Sequence, residues 1–386
     1  MASGIKVNIS HSDLEDLGQS AEVTDVRHLS SYSWIEGSTP TIIVPGVPPL
    51  WNPPRGPRKL KKDSGFIYIA QNAARHPDCP IEPLFRSLFI EHPTFDLPTV
   101  DVITDQNNIR KLLQFVRPDQ TSYPLESFTI NAEVVQNTII FCRTEAATSD
   151  VIGPNDFRGF GHQFERRYTT AEVSGSAGHH RILSFRFCGM SFVVRHKTDG
   201  YVKTDALGHN GVDSDSLTNL LRDLSLKSNN HDSCTSIAES KLRIQRGGQV
   251  VPPSSIIEIK TRTRKKLIDI DEIAPQLWAS QTPKLVRAYH VGGQFLDPKV
   301  EDVAAKIRDW EAKHQPDLMK LGWLIKRIMS IANKLGGRVV IKYDVVSKDE
   351  LSVQQSADAS NLLPKDLYAR WTVVETKTRE PETKGK

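Results

Sequence analysis

The sequence predicts an α+β fold of mixed β-sheets flanked by helices. Short runs of β-branched and aromatic residues recur along the chain, bounded by Gly, Pro, Asn and Asp, which is the pattern of strands and turns. Two longer stretches towards the C-terminus change to helical periodicity. With 386 residues, 38% hydrophobic and 25% charged, the chain is long and apolar enough to bury a sizeable core.

Residues 1–63 read as a polar and Pro-rich N-terminal arm. Residues 1–27 are polar, 45–54 are proline-dense, and Arg55, Arg58, Lys59, Lys61 and Lys62 form a basic cluster. That cluster suits an extended surface segment or a phosphate-backbone patch. Residues 64–375 read as one domain. A strand is expected at 66–69, an amphipathic helix at 108–116, paired strands at 127–132 and 138–143, and a helix at 156–169. Strands at 181–187 and 191–195 flank a turn at Gly189. Residues 204–250, rich in Ser, Asn, Asp and Gly, read as a flexible insertion. Strands at 255–261 and 284–290 follow, then helices at 300–313 and 318–335 stopped by Gly336-Gly337. Strands at 338–345 and 368–374 close the domain, and 376–386 read as a disordered charged tail.

Net charge of +4 and a pI of about 8.7 are compatible with nucleic acid without demanding it. Cys79, Cys142, Cys188 and Cys234 lack metal-ligand spacing, so neither a zinc site nor a disulfide framework is expected. No run of 18 apolar residues and no apolar leader occur, which places the expectation in the nucleus or cytoplasm. A Gly-rich phosphate loop ending in Lys-Ser/Thr is missing, so NTP hydrolysis has no support.

Chemistry concentrates around Glu258-Ile259-Lys260, inside an apolar β run. Residues i and i+2 of a strand share a face, so an acid and an ammonium stand side by side. Asp199 follows the apolar run 192–194 and supplies a second carboxylate; Glu165, in Gly161-His162-Gln163-Phe164-Glu165, supplies a third. Hard cations such as Mg²⁺ or Mn²⁺ take oxygen ligands, and a metal beside a lysine is the skeleton of a phosphodiesterase site. His179-His180 is a poor metal pair, because neighbours on a strand face opposite ways. The basic run Arg262, Arg264, Lys265 and Lys266 is equally a solvated hairpin end or a rim for single-stranded RNA.

In order along the chain stand Val100-Asp101-Val102-Ile103-Thr104, Arg110-Lys111-Leu112-Leu113, Asn137-Thr138-Ile139-Ile140, Gly161-His162-Gln163-Phe164-Glu165, Lys197-Thr198-Asp199, Glu258-Ile259-Lys260 and Trp278-Ala279-Ser280-Gln281. Over roughly residues 80–375 this order resembles the DXO-type decapping nucleases, a branch of the PD-(D/E)XK nuclease superfamily. The resemblance implies a PD-(D/E)XK nuclease-like core and RNA 5′ ends as substrate. It also implies Mg²⁺ or Mn²⁺ held by Glu165, Asp199 and Glu258, with Lys260 polarising the phosphate or the water. Gln281 would orient water or nucleotide, Arg110 would contact substrate, and a 5′–3′ exonuclease is the implied partner. Two departures stand out: Lys197 replaces the first acid of the E-h-D strand, and Gln106 replaces a substrate-binding arginine. A neutral amide cannot reproduce the bidentate charge of a guanidinium. Two functions follow: a metal-dependent RNA 5′-end hydrolase, or a catalytically impaired RNA 5′-end or protein-binding module on the same fold.

Overall fold

A computed structural model of the protein describes residues 5–118, 126–203, 235–236, 240–347, 349–358 and 360–372. The β-rich runs form strands β1 (Lys6–Ser10), β2 (Thr24–Ile35), β3 (Thr41–Gly46), β4 (Val102–Asp105), β5 (Phe128–Val135) and β6 (Thr138–Thr144). They continue as β7 (Ser176–Phe187), β8 (Met190–Thr198), β9 (Gly200–Tyr201), β10 (Arg243–Gly248), β11 (Ile256–Thr263), β12 (Lys284–Val291), β13 (Arg338–Tyr343) and β14 (Glu350–Gln355). Helices are α1 (Glu82–Glu91), α2 (Gln106–Val116), α3 (Gly161–Tyr168), α4 (Ile270–Ser280), α5 (Ala304–Lys313) and α6 (Gln315–Lys334).

Among the described residues, one mixed sheet runs in the order β1-β14-β13-β5-β6-β4-β8-β7-β2-β3-β10, with Thr235–Ser236 at its edge. A second sheet centres on β9, β11 and β12, with β11 and β12 parallel. Apolar residues cover both faces of the main sheet. On one side Phe185, Phe192 and Val194 pack against α2 and α4 to α6 through Leu112, Trp278, Trp310 and Leu324. On the other, Tyr32, Trp34 and Ile182 pack against α1 through Leu84, Phe85 and Leu88. The helix α6 ends where expected: Gly336 and Gly337 take φ of 85° and 86°, and the Gly337 N–H returns to the Ala332 carbonyl.

Three expectations are corrected. Residues 1–63 do not stand apart as an arm: β1 pairs with β14, and β2 lies between β7 and β3 in the sheet interior. Its serines (Ser30, Ser31, Ser33) made the segment look solvated, yet all three are buried. The 204–250 insertion is not flexible throughout, because β10 pairs in parallel with β3 over six residues; residues 204–234 lie outside the described residues. In place of a strand at 368–374, Lys365–Tyr368 and Ala369–Trp371 form helical turns, and Trp371 packs against Phe85. The tail at 376–386 is also outside the described residues. No described helix is long and apolar enough to cross a membrane.

Candidate functional site

The site forms where the chain passes from one sheet to the other. β8 ends at Thr198, Asp199 is the hinge, and Gly200-Tyr201 joins the second sheet beside β11. Only glycine fits that crossing, since a Cβ at Gly200 would sit 2.9 Å from the Pro49 carbonyl oxygen. Asp199 is therefore held against β11, where its Oδ2 accepts the Ile259 N–H at 3.1 Å. Helix α3 brings Glu165 to the same place, with Phe164 and Tyr168 anchoring its apolar face.

The three carboxylates are divided between two ammonium groups. Lys197 Nζ lies 3.4 Å from Glu165 Oε2 and 3.2 Å from Asp199 Oδ1, so it bridges the pair. Lys260 Nζ lies 2.8 Å from Glu258 Oε1, which also accepts from Gln276 Nε2 at 2.5 Å. Among the described residues no three His, Cys, Asp or Glu side chains converge on a point a metal ion could occupy. The expected shared coordination by Glu165, Asp199 and Glu258 is thus not formed. The residue responsible is Lys197, whose ammonium stands between two of the acids. A dication there would sit about 4 Å from the ammonium, a repulsion of at most roughly 8 kcal/mol at an effective dielectric near 20, which solvent reduces because Lys197 is half exposed. The donor set as arranged does not fit Mg²⁺ or Mn²⁺.

Proton affinities follow the same division. Glu165 and Asp199 hold the Lys197 ammonium well above the ordinary lysine range. Burial pushes the Asp199 carboxyl up, but Lys197 and Lys260 outweigh it and the net shift is down. Burial and the Asp199 charge push Glu258 up to about 7 despite Lys260. The sign of the consequence is fixed. Folded Glu258 keeps a proton that the unfolded chain releases near its ordinary 4.5, so its contribution is intact below that value and is lost as pH rises towards 7. Glu258→Gln should therefore be nearly neutral at pH 5 and stabilise by about 1–3 kcal/mol at pH 8. Urea unfolding at the two pH values checks this; equal effects at both would refute it.

Glu165, Lys197 and Asp199 border a cleft of about 890 Å³ whose wall also carries Arg110, Arg143, His162 and Arg166. Gln106 also lines it, with its amide donating to the Gln276 carbonyl at 2.8 Å. Gln281 does not reach the site: it terminates α4 with φ of 50° and donates its Nε2 to the Trp278 carbonyl. The glutamine that does reach it is Gln276, which the sequence reading passed over. Both flank Trp278, and only the helix end separates their roles. Arg262 is tied to Glu272 at 2.7 Å, whereas Arg264, Lys265 and Lys266 are exposed at the end of β11.

Along the cleft lining runs a largely buried network that the sequence reading also missed. Arg195 holds Asp105 bidentately at 2.6 and 2.9 Å and donates to the Pro80 carbonyl and the Tyr32 hydroxyl. Tyr32 and Trp34 both donate to Asn72 Oδ1.

A family model described as a domain of unknown function, DUF8563, matches residues 5–371. The chain belongs to that family. No curated protein sequence matches it. Solved structures with this fold include Candida albicans Rai1 in complex with pU5 and Mn²⁺, with a TM-score of 0.58 at 9% identity, covering 95% of this chain and 99% of that one. A mutant S. pombe Rai1 in complex with 3′-FADP gives 0.56 at 10% identity over 91% and 99% of the two chains. K. lactis Dxo1 in complex with manganese gives 0.52 at 9% identity over 93% and 100%. The DUF8563 chain is similar to these proteins in fold, and the α+β architecture read from the sequence is the one observed.

Proposed function

We propose that this DUF8563 chain binds the phosphorylated 5′ end of an RNA in the cleft, with the Lys197 ammonium standing between two of the acids expected to hold a dication. The observation that carries this reading is Lys197 Nζ between Glu165 and Asp199. It satisfies both acids without metal and, half exposed, keeps a positive face towards the cleft. Arg110, Arg143 and Arg166 add charge along the same wall, which suits a phosphate chain and its trailing backbone. RNA-bearing and nucleotide-bearing structures of the fold support the ligand class.

Fluorescence anisotropy with single-stranded RNAs ending in 5′-triphosphate, 5′-monophosphate or 5′-hydroxyl tests it. Phosphorylated ends should bind on the order of tenfold tighter, equally well in EDTA, with affinity falling steeply as salt rises. Indifference to the 5′ group, or a requirement for Mn²⁺, would overturn the reading. A second reading, a metal-dependent 5′-end hydrolase, is favoured by one observation: Asp199, Glu258 and Lys260 are all retained and adjacent. It requires that Mn²⁺ or Mg²⁺ produce a shortened or decapped RNA and that Glu258→Ala and Asp199→Ala both abolish the product.

A further inference from the structure

Alternation along β8 directs Arg195 and Lys197 to one face of the main sheet and His196 and Thr198 to the other. On that second face a polar cluster spans three strands. Arg181 of β7 lies directly opposite His196 on β8 and Ser31 on β2. One step along, His179 lies opposite Thr198 and Ser33, and on the other side His28 lies opposite Leu183. Directly opposed residues have Cβ atoms about 4.5–5.5 Å apart, so these side chains are neighbours.

The cluster is largely buried, with His196 and Thr198 also along the cleft lining, and has no acid among its members. Arg181 is 3% exposed and His196 4%, and His179, Thr198, Ser31 and Ser33 are equally buried. Four members have protein partners: Ser31 donates to the Pro45 carbonyl, Ser33 bonds His179 Nδ1, and His196 Nδ1 bonds the Lys197 carbonyl. Arg181 Nη2, His196 Nε2, Thr198 Oγ1 and His28 Nδ1 have none. Among the described residues the Arg181 Nη2 has no acceptor, and burial is the one influence that shifts its guanidinium, with no neighbouring acid acting on it. Burial lowers its pKa to about 10, and the group stays charged at neutral pH. An isolated buried charge is costly, and a guanidinium cannot escape by releasing its proton as a lysine or histidine does.

We propose that Arg181, flanked by Thr198 and His196, binds a small inorganic oxyanion of the phosphate or sulfate type inside this layer. A guanidinium fork matches two oxygens of such an anion, and the Thr198 hydroxyl is a further donor free to turn towards it. Because His196 and Thr198 alternate with Lys197 on the same strand, the anion would also stiffen the strand that presents the cleft lysine.

Thermal unfolding of the full chain, at fixed ionic strength in sodium chloride, sulfate or phosphate, tests the site. The parent should gain about 2–4 °C in phosphate or sulfate over chloride. Arg181→Met should lose that gain and, having shed an unpaired buried charge, melt in chloride at or above the parent. Should the methionine variant fail to fold, Arg181→Lys keeps the charge but not the fork and should lose most of the gain. An Arg110→Ala variant, altered only in the cleft, should keep it. A parent indifferent to both oxyanions, or a gain abolished by Arg110→Ala and kept by the Arg181 variants, would overturn the proposal.

Discussion

Replacing Lys197 by glutamate is expected to create a divalent-cation site where the described residues form none. Titration calorimetry with Mn²⁺ should show one site per chain in the variant, at least a hundredfold tighter than in the parent. Two changes act together. The ammonium lying 3.2–3.4 Å from Asp199 and Glu165 disappears, and a third carboxylate arrives where oxygen ligands are needed. The full repulsion between a dication and an ammonium about 4 Å away would be roughly 8 kcal/mol at an effective dielectric near 20. Lys197 is 50% exposed, so solvent screens much of that. Even a third of it, about 2.7 kcal/mol, amounts to about a hundredfold in affinity. Lys197→Met separates the contributions and should fall between parent and glutamate variant. In EDTA the glutamate variant should bind 5′-phosphorylated RNA about tenfold more weakly, since the cleft has exchanged a cation for an anion. Equal Mn²⁺ affinity in parent and variant would show that Lys197 does not exclude the metal.

That lysine also marks how much of the site could be read in advance. The sequence order singled out Asp199, Glu258 and Lys260, which the structure brings close together, because strand alternation and an apolar β run are local signals. It also showed Lys197 where an acid was expected. What it could not show was where the ammonium goes: a lysine on a strand end is ordinarily solvated, and only the approach of α3 brings Glu165 within reach. Gln276 and Gln281 pose the same difficulty, since five residues of helix decide which amide faces Glu258. The fold shows a similar limit. Elements with their own periodicity, such as α2, α6, β11 and β12, were legible within a few residues. The N-terminal strands were not, because β1 finds its partner more than 300 residues away and the serines of β2 are buried by long-range polar neighbours. β10 was hidden likewise, as its ladder with β3 crosses some 200 residues of chain.

Arg195→Ala is expected to be the most destabilising single change in the cleft region, at about 3–5 kcal/mol in urea unfolding. Arg195 is 1% exposed, and it is the tie between elements distant in sequence. Its guanidinium spans Asp105 at the start of α2, the Pro80 carbonyl before α1, and the Tyr32 hydroxyl on β2. Burial disfavours the charged form, but Asp105 outweighs burial and the guanidinium is held more firmly protonated than usual. Truncation leaves the Asp105 carboxylate part-buried without its counter-ion, and that orphaned charge makes up most of the cost. Asp105 precedes α2 but does not cap it, because its oxygens are committed to Arg195. The helix start, and with it Gln106 and Arg110 on the cleft wall, is therefore positioned through Arg195. Two readouts should move together: stability, and affinity for 5′-phosphorylated RNA at a temperature where the variant remains folded. Arg195→Lys keeps the charge but cannot hold both Asp105 oxygens in a planar fork, and it should recover part of the stability and little of the affinity. A double variant, Arg195→Met with Asp105→Leu, removes both charges and should be less destabilised than Arg195→Ala, as replacement of a whole buried pair usually is. If the alanine variant loses less than about 1 kcal/mol, or keeps full RNA affinity, Arg195 is not the residue that positions the cleft wall.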